Sequence, residues 1–218
     1  MIASKLKFII IFIPMLSWAS LLYVPQQYGS IQAAINFSVD LDTIIVSEGT
    51  YQENINFFGK NIVVTSNYLI NQDSLIIEST IIDGNNDGSV ATFAGGELNS
   101  AILQGFTLRN GNGNYADPDG NGSFYTYGGG VYCKSSSPTL KDLIIKNNSG
   151  NAGGGGGVFC YDASPTIDGC IISNNLTDDV GGGLYARNGS DLIIRDSEFS
   201  SNEADLGGGC YFRDQSEP

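Results

Sequence analysis

The chain contains no histidine. That excludes, within this sequence, Ser-His-Asp and Cys-His nucleophilic triads, histidine-ligated metal centres and imidazole acid–base chemistry. Positive charge is scarce as well: 10 Lys and Arg face 23 Asp and Glu, for a net charge of -13 and a pI near 4.1. Phosphate backbones are held by clustered Lys and Arg, so nucleic acid is not an expected partner. The four cysteines, Cys133, Cys160, Cys170 and Cys210, never fall into C-x-x-C pairs, which argues against a zinc site. Long apolar runs are confined to the N-terminus, so no transmembrane helix is expected in the rest of the chain.

That N-terminal run has its own logic. Lys5 and Lys7 precede the apolar stretch Phe8–Leu16, and Ser17-Trp18-Ala19 follows with small residues flanking a large one. This is the layout of a secretory signal peptide cut after Ala19, so residues 1–19 are assigned to it. An uncleaved anchor is the alternative, but the run falls short of the ~20 residues of a full span and contains Pro14. Removing Lys5 and Lys7 takes the net charge from -13 to -15. Export places the mature chain in an oxidising compartment, secreted or associated with the cell surface and outer membrane.

Glycine is abundant, 29 of 218 residues, and it is not scattered. Gly128–Gly130, Gly155–Gly157, Gly181–Gly183 and Gly207–Gly209 each precede an apolar residue: Val131, Val158, Leu184 and Cys210. Further sets recur every 27 residues: Leu140, Ile167 and Ile194; Ile145, Ile172 and Phe199; Asn148, Asn175 and Asn202. Each repeat holds short apolar runs bounded by Gly, Ser, Pro or Asn, too short for helices. Such a unit cannot bury its inner face alone, but stacked units create a continuous interior. The reading is an all-β, right-handed, single-stranded parallel β-helix solenoid. Equivalent apolar side chains stack about 4.8 Å apart, and the asparagines form a ladder at a turn. Leu103, Phe106, Leu108 and Asn110 match Leu140, Leu143, Ile145 and Asn147 at an offset of 37, so about ten extra residues fall in a long loop, Gly111–Tyr127. Ile31, Ala34 and Ile35 lie at helical spacing behind a Ser30 N-cap. Residues 20–41 are therefore expected to form an N-terminal cap with a short helix, and 42–218 the β-helix. The chain closes at the opening of a coil, "GGGCYFRDQSEP", and reads as a monomeric segment of a longer protein, truncated at the C-terminus.

The stretch "YVPQQYGSIQAAINFSVDLDTIIVSEGTYQENI" resembles the N-terminal cap and first coil of pectin-lyase-fold proteins. The Gly-Gly-Gly-apolar repeats, followed by Ile172-Ser-Asn-Asn175 or Phe199-Ser-Ser-Asn202, resemble the repeats of chlamydial polymorphic outer-membrane proteins. The resemblance covers nearly all of the mature chain. It implies the β-helix fold, which hosts lyases, hydrolases, adhesins and passenger domains alike. The polygalacturonase pattern fails, because its histidine has no counterpart. Lyases of this class use Ca²⁺-binding acids with an Arg or Lys base. Arg187 and Arg195 lie within one coil of acidic loops, but no motif assigns them catalytic roles.

Two features are candidates for chemistry. Strand alternation puts Tyr132, Phe159, Tyr185 and Tyr211 on the outer face, where they form either a stacked platform for sugar rings or a column covered by a loop. The loops preceding the glycine triplets carry Asp178, Asp179, Glu203 and Asp205, a carboxylate group suited to Ca²⁺ or, alternatively, solvated acidic turns. Asp117 and Asp119 lie in the long loop, which brings Tyr115, Phe124, Tyr125 and Tyr127 to the same edge. The expected function is an exported scaffold, adhesin- or passenger-like, that binds a polysaccharide or cell-surface glycan. A polysaccharide lyase or glycoside hydrolase is the alternative. No cofactor is required; Ca²⁺ is the candidate ion. Cys133 and Cys160 occupy equivalent positions on adjacent coils, as two packed thiols or a disulfide.

Overall fold

The computed structural model describes residues 19–218, so all of the predicted signal peptide but Ala19 lies outside the described residues. From Leu21 onward the chain lays strands into three parallel sheets, visiting them in a fixed order. One repeat shows the pattern. Thr139–Lys141 joins the first sheet, Ile144–Lys146 the second and Val158–Tyr161 the third. Thr166–Asp168 then returns to the first sheet beside Thr139–Lys141. This is the parallel β-helix arrangement, and 27 residues make one coil because that is the sequence distance between in-register partners such as Leu140 and Ile167.

The predicted columns are present in register. In the first sheet Leu22, Ile44, Val64, Leu103, Leu140, Ile167 and Ile194 are successive partners. The second sheet stacks Ile82, Leu108, Ile145, Ile172 and Phe199. The third stacks Ile55, Ala91, Val131, Val158, Leu184 and Cys210. All contribute to one apolar core, fully buried in the middle coils and partly buried at Ile194, Phe199 and Cys210. Each fully buried aliphatic side chain contributes about 1.5–3 kcal/mol.

The glycine triplets have a steric cause. Gly155 adopts φ +69°, a left-handed conformation that costs other residues, and a Cβ on Gly156 would lie 2.5 Å from the Leu176 carbonyl oxygen and 2.7 Å from that of Gly182. Adjacent coils approach backbone to backbone here, so only hydrogen fits. The asparagine ladder closes the same corner. Asn148 Nδ2 donates to Asn175 Oδ1 and Asn175 Nδ2 to Asn202 Oδ1, each at 3.0 Å. The same oxygens accept from the backbone N–H of Asn148 and Asn175.

The N-terminal helix is Ile31–Phe37, with Ile31, Ala34 and Ile35 buried and the Ser30 hydroxyl accepting from Ala33 N at 3.1 Å. Glu53 from the next coil accepts from the free N–H groups of Ile31 and Gln32, both at 2.9 Å, and Lys60 Nζ donates to the Asn36 and Ser38 carbonyls at the other end. The capping segment also supplies a rung, since Leu21–Val24 pairs with Thr43–Val46. Two short helices, Tyr68–Asn71 and Ser74–Ser79, interrupt the third coil between Val63–Ser66 and Thr80–Asp83, and the repeat pattern does not announce them. Among the described residues no helix is long and apolar enough to cross a membrane.

Candidate functional site

The predicted long loop is not irregular. Asn114–Ala116 and Tyr125–Tyr127 form an antiparallel hairpin, with Tyr115 opposite Thr126. Its tip is held by Asp117, whose carboxylate accepts from the N–H groups of Asn121 (3.1 Å) and Gly122 (2.8 Å). Asn121 Nδ2 donates to Asp119 at 3.0 Å. Two signals in the sequence mark this hairpin: the alternation Tyr125-Thr126-Tyr127, and the turn residues Pro118, Gly120 and Gly122.

The hairpin lies on the outer face of the third sheet, directly over the aromatic column. Tyr132, Phe159, Tyr185 and Tyr211 are successive in-register partners, as predicted. Their rings stack at centroid distances of 5.4–5.7 Å, and Tyr127 from the hairpin packs on Phe159 at 4.5 Å. Together with Val180 they form a second apolar cluster. Phe159 is fully buried, and Tyr132 and Tyr185 retain 5% and 3% of their surface. Of the two alternatives, open platform or covered column, these three rings are the covered column, because stacked apolar rings gain more from a lid of Tyr127 and Val180 than from water. Burial pushes the phenols of Tyr127 and Tyr132 up to about 12. Exposed aromatic surface sits instead on the hairpin: Tyr115 and Phe124, stacked at 5.5 Å, and Tyr125. Tyr211, one coil further along, is half-buried.

Where the hairpin meets the sheet, a cleft of about 260 Å³ opens, lined by Tyr125, Tyr127, Tyr185, Asp179, Arg187 and Arg213 beside the Ala152-Gly153 turn. Arg187 is its keystone. Nη2 lies 3.2 Å from Asp119 Oδ2, which pins the hairpin tip to the strand Leu184–Arg187. Nε is shut off from solvent; it stands 3.5 Å from Asp214 Oδ2 as an ion pair but makes no hydrogen bond. The guanidinium also lies over the Tyr161 ring, 5.5 Å from its centroid. Burial opposes its charge, yet Tyr185, Asp119 and Asp214 outweigh burial and hold its pKa above the ordinary arginine value. Sequence reasoning noticed Arg187 without a place for it. Arg195 sits on the first sheet, paired with Asp168 of the neighbouring coil at 3.0 Å.

Asp178, Asp179, Glu203 and Asp205 are all exposed. Their loops are adjacent, since Leu176 bridges Glu203 and Val180 bridges Leu206. Among the described residues, however, no three acidic or cysteine side chains converge so as to hold a metal ion. Of the four, Asp179 alone reaches the cleft. Cys133 and Cys160 are in-register partners and free thiols. Burial, then the hydrogen bond with Cys160, raises the Cys133 thiol well above its usual range. A second cleft, about 420 Å³, lies beside the inserted helices and is lined by Tyr68, Leu69, Gln72, Gln104, Lys141 and Asp142.

No protein-family model, no curated protein and no solved structure matches this chain.

Proposed function

We propose that this chain is an exported, cell-surface β-helix scaffold that binds a glycan at the cleft between the hairpin and the third sheet. The resemblance to pectin-lyase-fold and polymorphic outer-membrane repeats belongs to the same reading, as does removal of residues 1–19 on export. The observation that carries it is a half-open ring, Tyr125, beside charged groups, Asp179 and Arg213, in a concave site on a rigid solenoid. Aromatic faces stack on the C–H face of a sugar, and adjacent polar groups take its hydroxyls. Tyr115 and Phe124 stack on each other on the hairpin's other face, away from the cleft. Binding is favoured over hydrolysis because only Asp179 among the described carboxylates lines the cleft, Asp119 and Asp214 being tied to arginines at its edge, whereas glycoside hydrolysis uses a pair.

The test is a glycan array followed by calorimetric titration of the best binder. Tyr125→Ala removes an exposed ring whose one ring contact is edge-on to Tyr127, and is expected to weaken binding about tenfold, in line with ~1.4 kcal/mol for a lost stacking contact, with the thermal midpoint lowered by a few degrees at most. A broad array with no binder, or a Tyr125→Ala variant that binds like the parent, overturns the proposal. N-terminal sequencing of exported protein should begin at Ser20; retention of Met1 removes the export half of the reading.

A further inference from the structure

We infer that the cleft accepts a neutral pyranose and rejects uronates and sulfated sugars; this rests on the glycan-binding reading above and specifies its ligand. Anionic sugars are gripped by a guanidinium whose fork is free to meet a carboxylate or sulfate in two parallel hydrogen bonds. Arg187 has no such fork to offer. Asp119 occupies Nη2, Nε is sealed from solvent against Asp214, and Tyr161 lies under the guanidinium face. Freeing it would cost Asp119 its ion pair, leaving it only Asn121, and unpin the hairpin tip.

Arg213 is the remaining cation of the cleft. Its side chain is 58% exposed and already lies 3.4 Å from Asp214. Around the two arginines stand three carboxylates, Asp119, Asp179 and Asp214, so the site carries no surplus positive charge. Beyond it the whole chain is at -13. Within the Debye length of ~8 Å at physiological salt, a polyanion at the cleft therefore meets more negative than positive charge.

The donor and acceptor inventory points the same way. The Asp179 carboxylate only accepts hydrogen bonds, so it needs a ligand atom that donates. A sugar hydroxyl donates to Asp179 and accepts from Arg213 or a phenol. A uronate or sulfated sugar keeps other hydroxyls, but its anionic group has no proton to give and, seated in this cleft, would stand face to face with Asp179. The volume of about 260 Å³ lies below the roughly 300–1,000 Å³ of sites for drug-sized ligands. It therefore holds one sugar ring, with the rest of a polymer running out past Tyr125.

The experiment is calorimetric titration of the chain with matched oligosaccharides of equal length, one neutral hexose series and its uronic-acid counterpart, at low and physiological salt. The neutral series is expected to bind at least tenfold tighter, with little salt dependence. Asp179→Asn removes the facing carboxylate and should narrow the gap several-fold by admitting the uronate, at an unchanged thermal midpoint. Equal or tighter binding of the uronic series overturns this inference and leaves the glycan reading standing. A gap that Asp179→Asn leaves unchanged overturns the charge argument. Binding of neither series, nor of any sugar on the array, overturns both.

Discussion

Replacing Asn175 by alanine tests the register of the solenoid at its tightest point. Asn175 is 1% exposed and makes four hydrogen bonds with its amide. Oδ1 accepts from Asn148 N and from Asn148 Nδ2, both at 3.0 Å; Nδ2 donates to the Ile145 carbonyl at 2.9 Å and to Asn202 Oδ1 at 3.0 Å. In Asn175→Ala the backbone N–H of buried Asn148 loses that acceptor, while Asn148 Nδ2 keeps the Leu108 carbonyl at 3.2 Å. One buried unpaired N–H costs about 1–3 kcal/mol, and each further lost bond about 1. With three further bonds lost, the total is about 5 kcal/mol. Asn202→Ala is the internal comparison. Asn202 makes three such bonds, one of them from the backbone N–H of Asn175, but it is half-buried, so water replaces part of what is lost and about 2 kcal/mol is expected. Urea unfolding reads both. With m near 2 kcal/mol per M, Asn175→Ala should lower the midpoint by about 2.5 M at constant m, and Asn202→Ala by about 1 M. Equal shifts for the two variants would refute the argument, because the ladder would then be ordinary turn chemistry rather than a buried network whose inner members cannot turn to solvent.

Gly156→Ala should be worse than Gly189→Ala. The first drives a Cβ against the Leu176 and Gly182 carbonyl oxygens and should cost about 3 kcal/mol or more; the second meets open space at φ +68° and should cost about 1 kcal/mol in backbone strain. Urea midpoints in the reverse order would sink the steric account of the glycine triplets. Stability should also fall in alkali. Tyr127 and Tyr132 titrate near 12 and Cys210 near 11 in the fold, against about 10 and 8.5 in an unfolded chain. A folded pKa raised above the unfolded one gives stability that is full below the unfolded value and lost as pH climbs toward the folded value. The urea midpoint should therefore hold to about pH 8 and drop between about pH 9 and 12. A flat midpoint across that window would show the phenols and thiols to be solvated.

The columns and the ladder were legible in the sequence because every coil meets the same demand. Val131, Val158 and Leu184 face the same interior at the same height, so the same residue class recurs at each, and the recurrence is visible without coordinates. The Gly-Gly-Gly triplets were legible for the same reason. The insertions were not. The helices Tyr68–Asn71 and Ser74–Ser79 occur once, and a single Asp73 N-cap does not stand out in an Asn- and Ser-rich chain. For the aromatic column the sequence supplied the register of Tyr132, Phe159, Tyr185 and Tyr211 but not their burial, since burial depends on a hairpin that belongs to no repeat. The acidic residues are legible only as far as the loops: adjacent loops bring Asp179 and Glu203 onto neighbouring coils, but a side chain on an exposed turn has no repeating neighbour to fix its direction, so their spacing in sequence does not give their spacing in space.

The location of the cleft follows from these two kinds of sequence. Repetition stacks outward rings as surely as inward ones, and an uncovered column of Tyr132, Phe159 and Tyr185 would present a continuous apolar stripe to solvent. A solenoid cannot cover its own outer face with its own repeats, so cover has to come from an aperiodic insertion, here the hairpin with Tyr127 on Phe159. Such a lid has finite length. It closes over Phe159 and Tyr185 and leaves Tyr211, one coil on, half-buried. At its edge the rings change from buried to accessible within a few ångströms, and the charges that fasten the lid, Asp119 to Arg187, are gathered at the same line. A seam with aromatic faces on one side and fixed hydrogen-bonding groups on the other is what sugar recognition requires. It arises here because the repeat needed covering and the cover had to end.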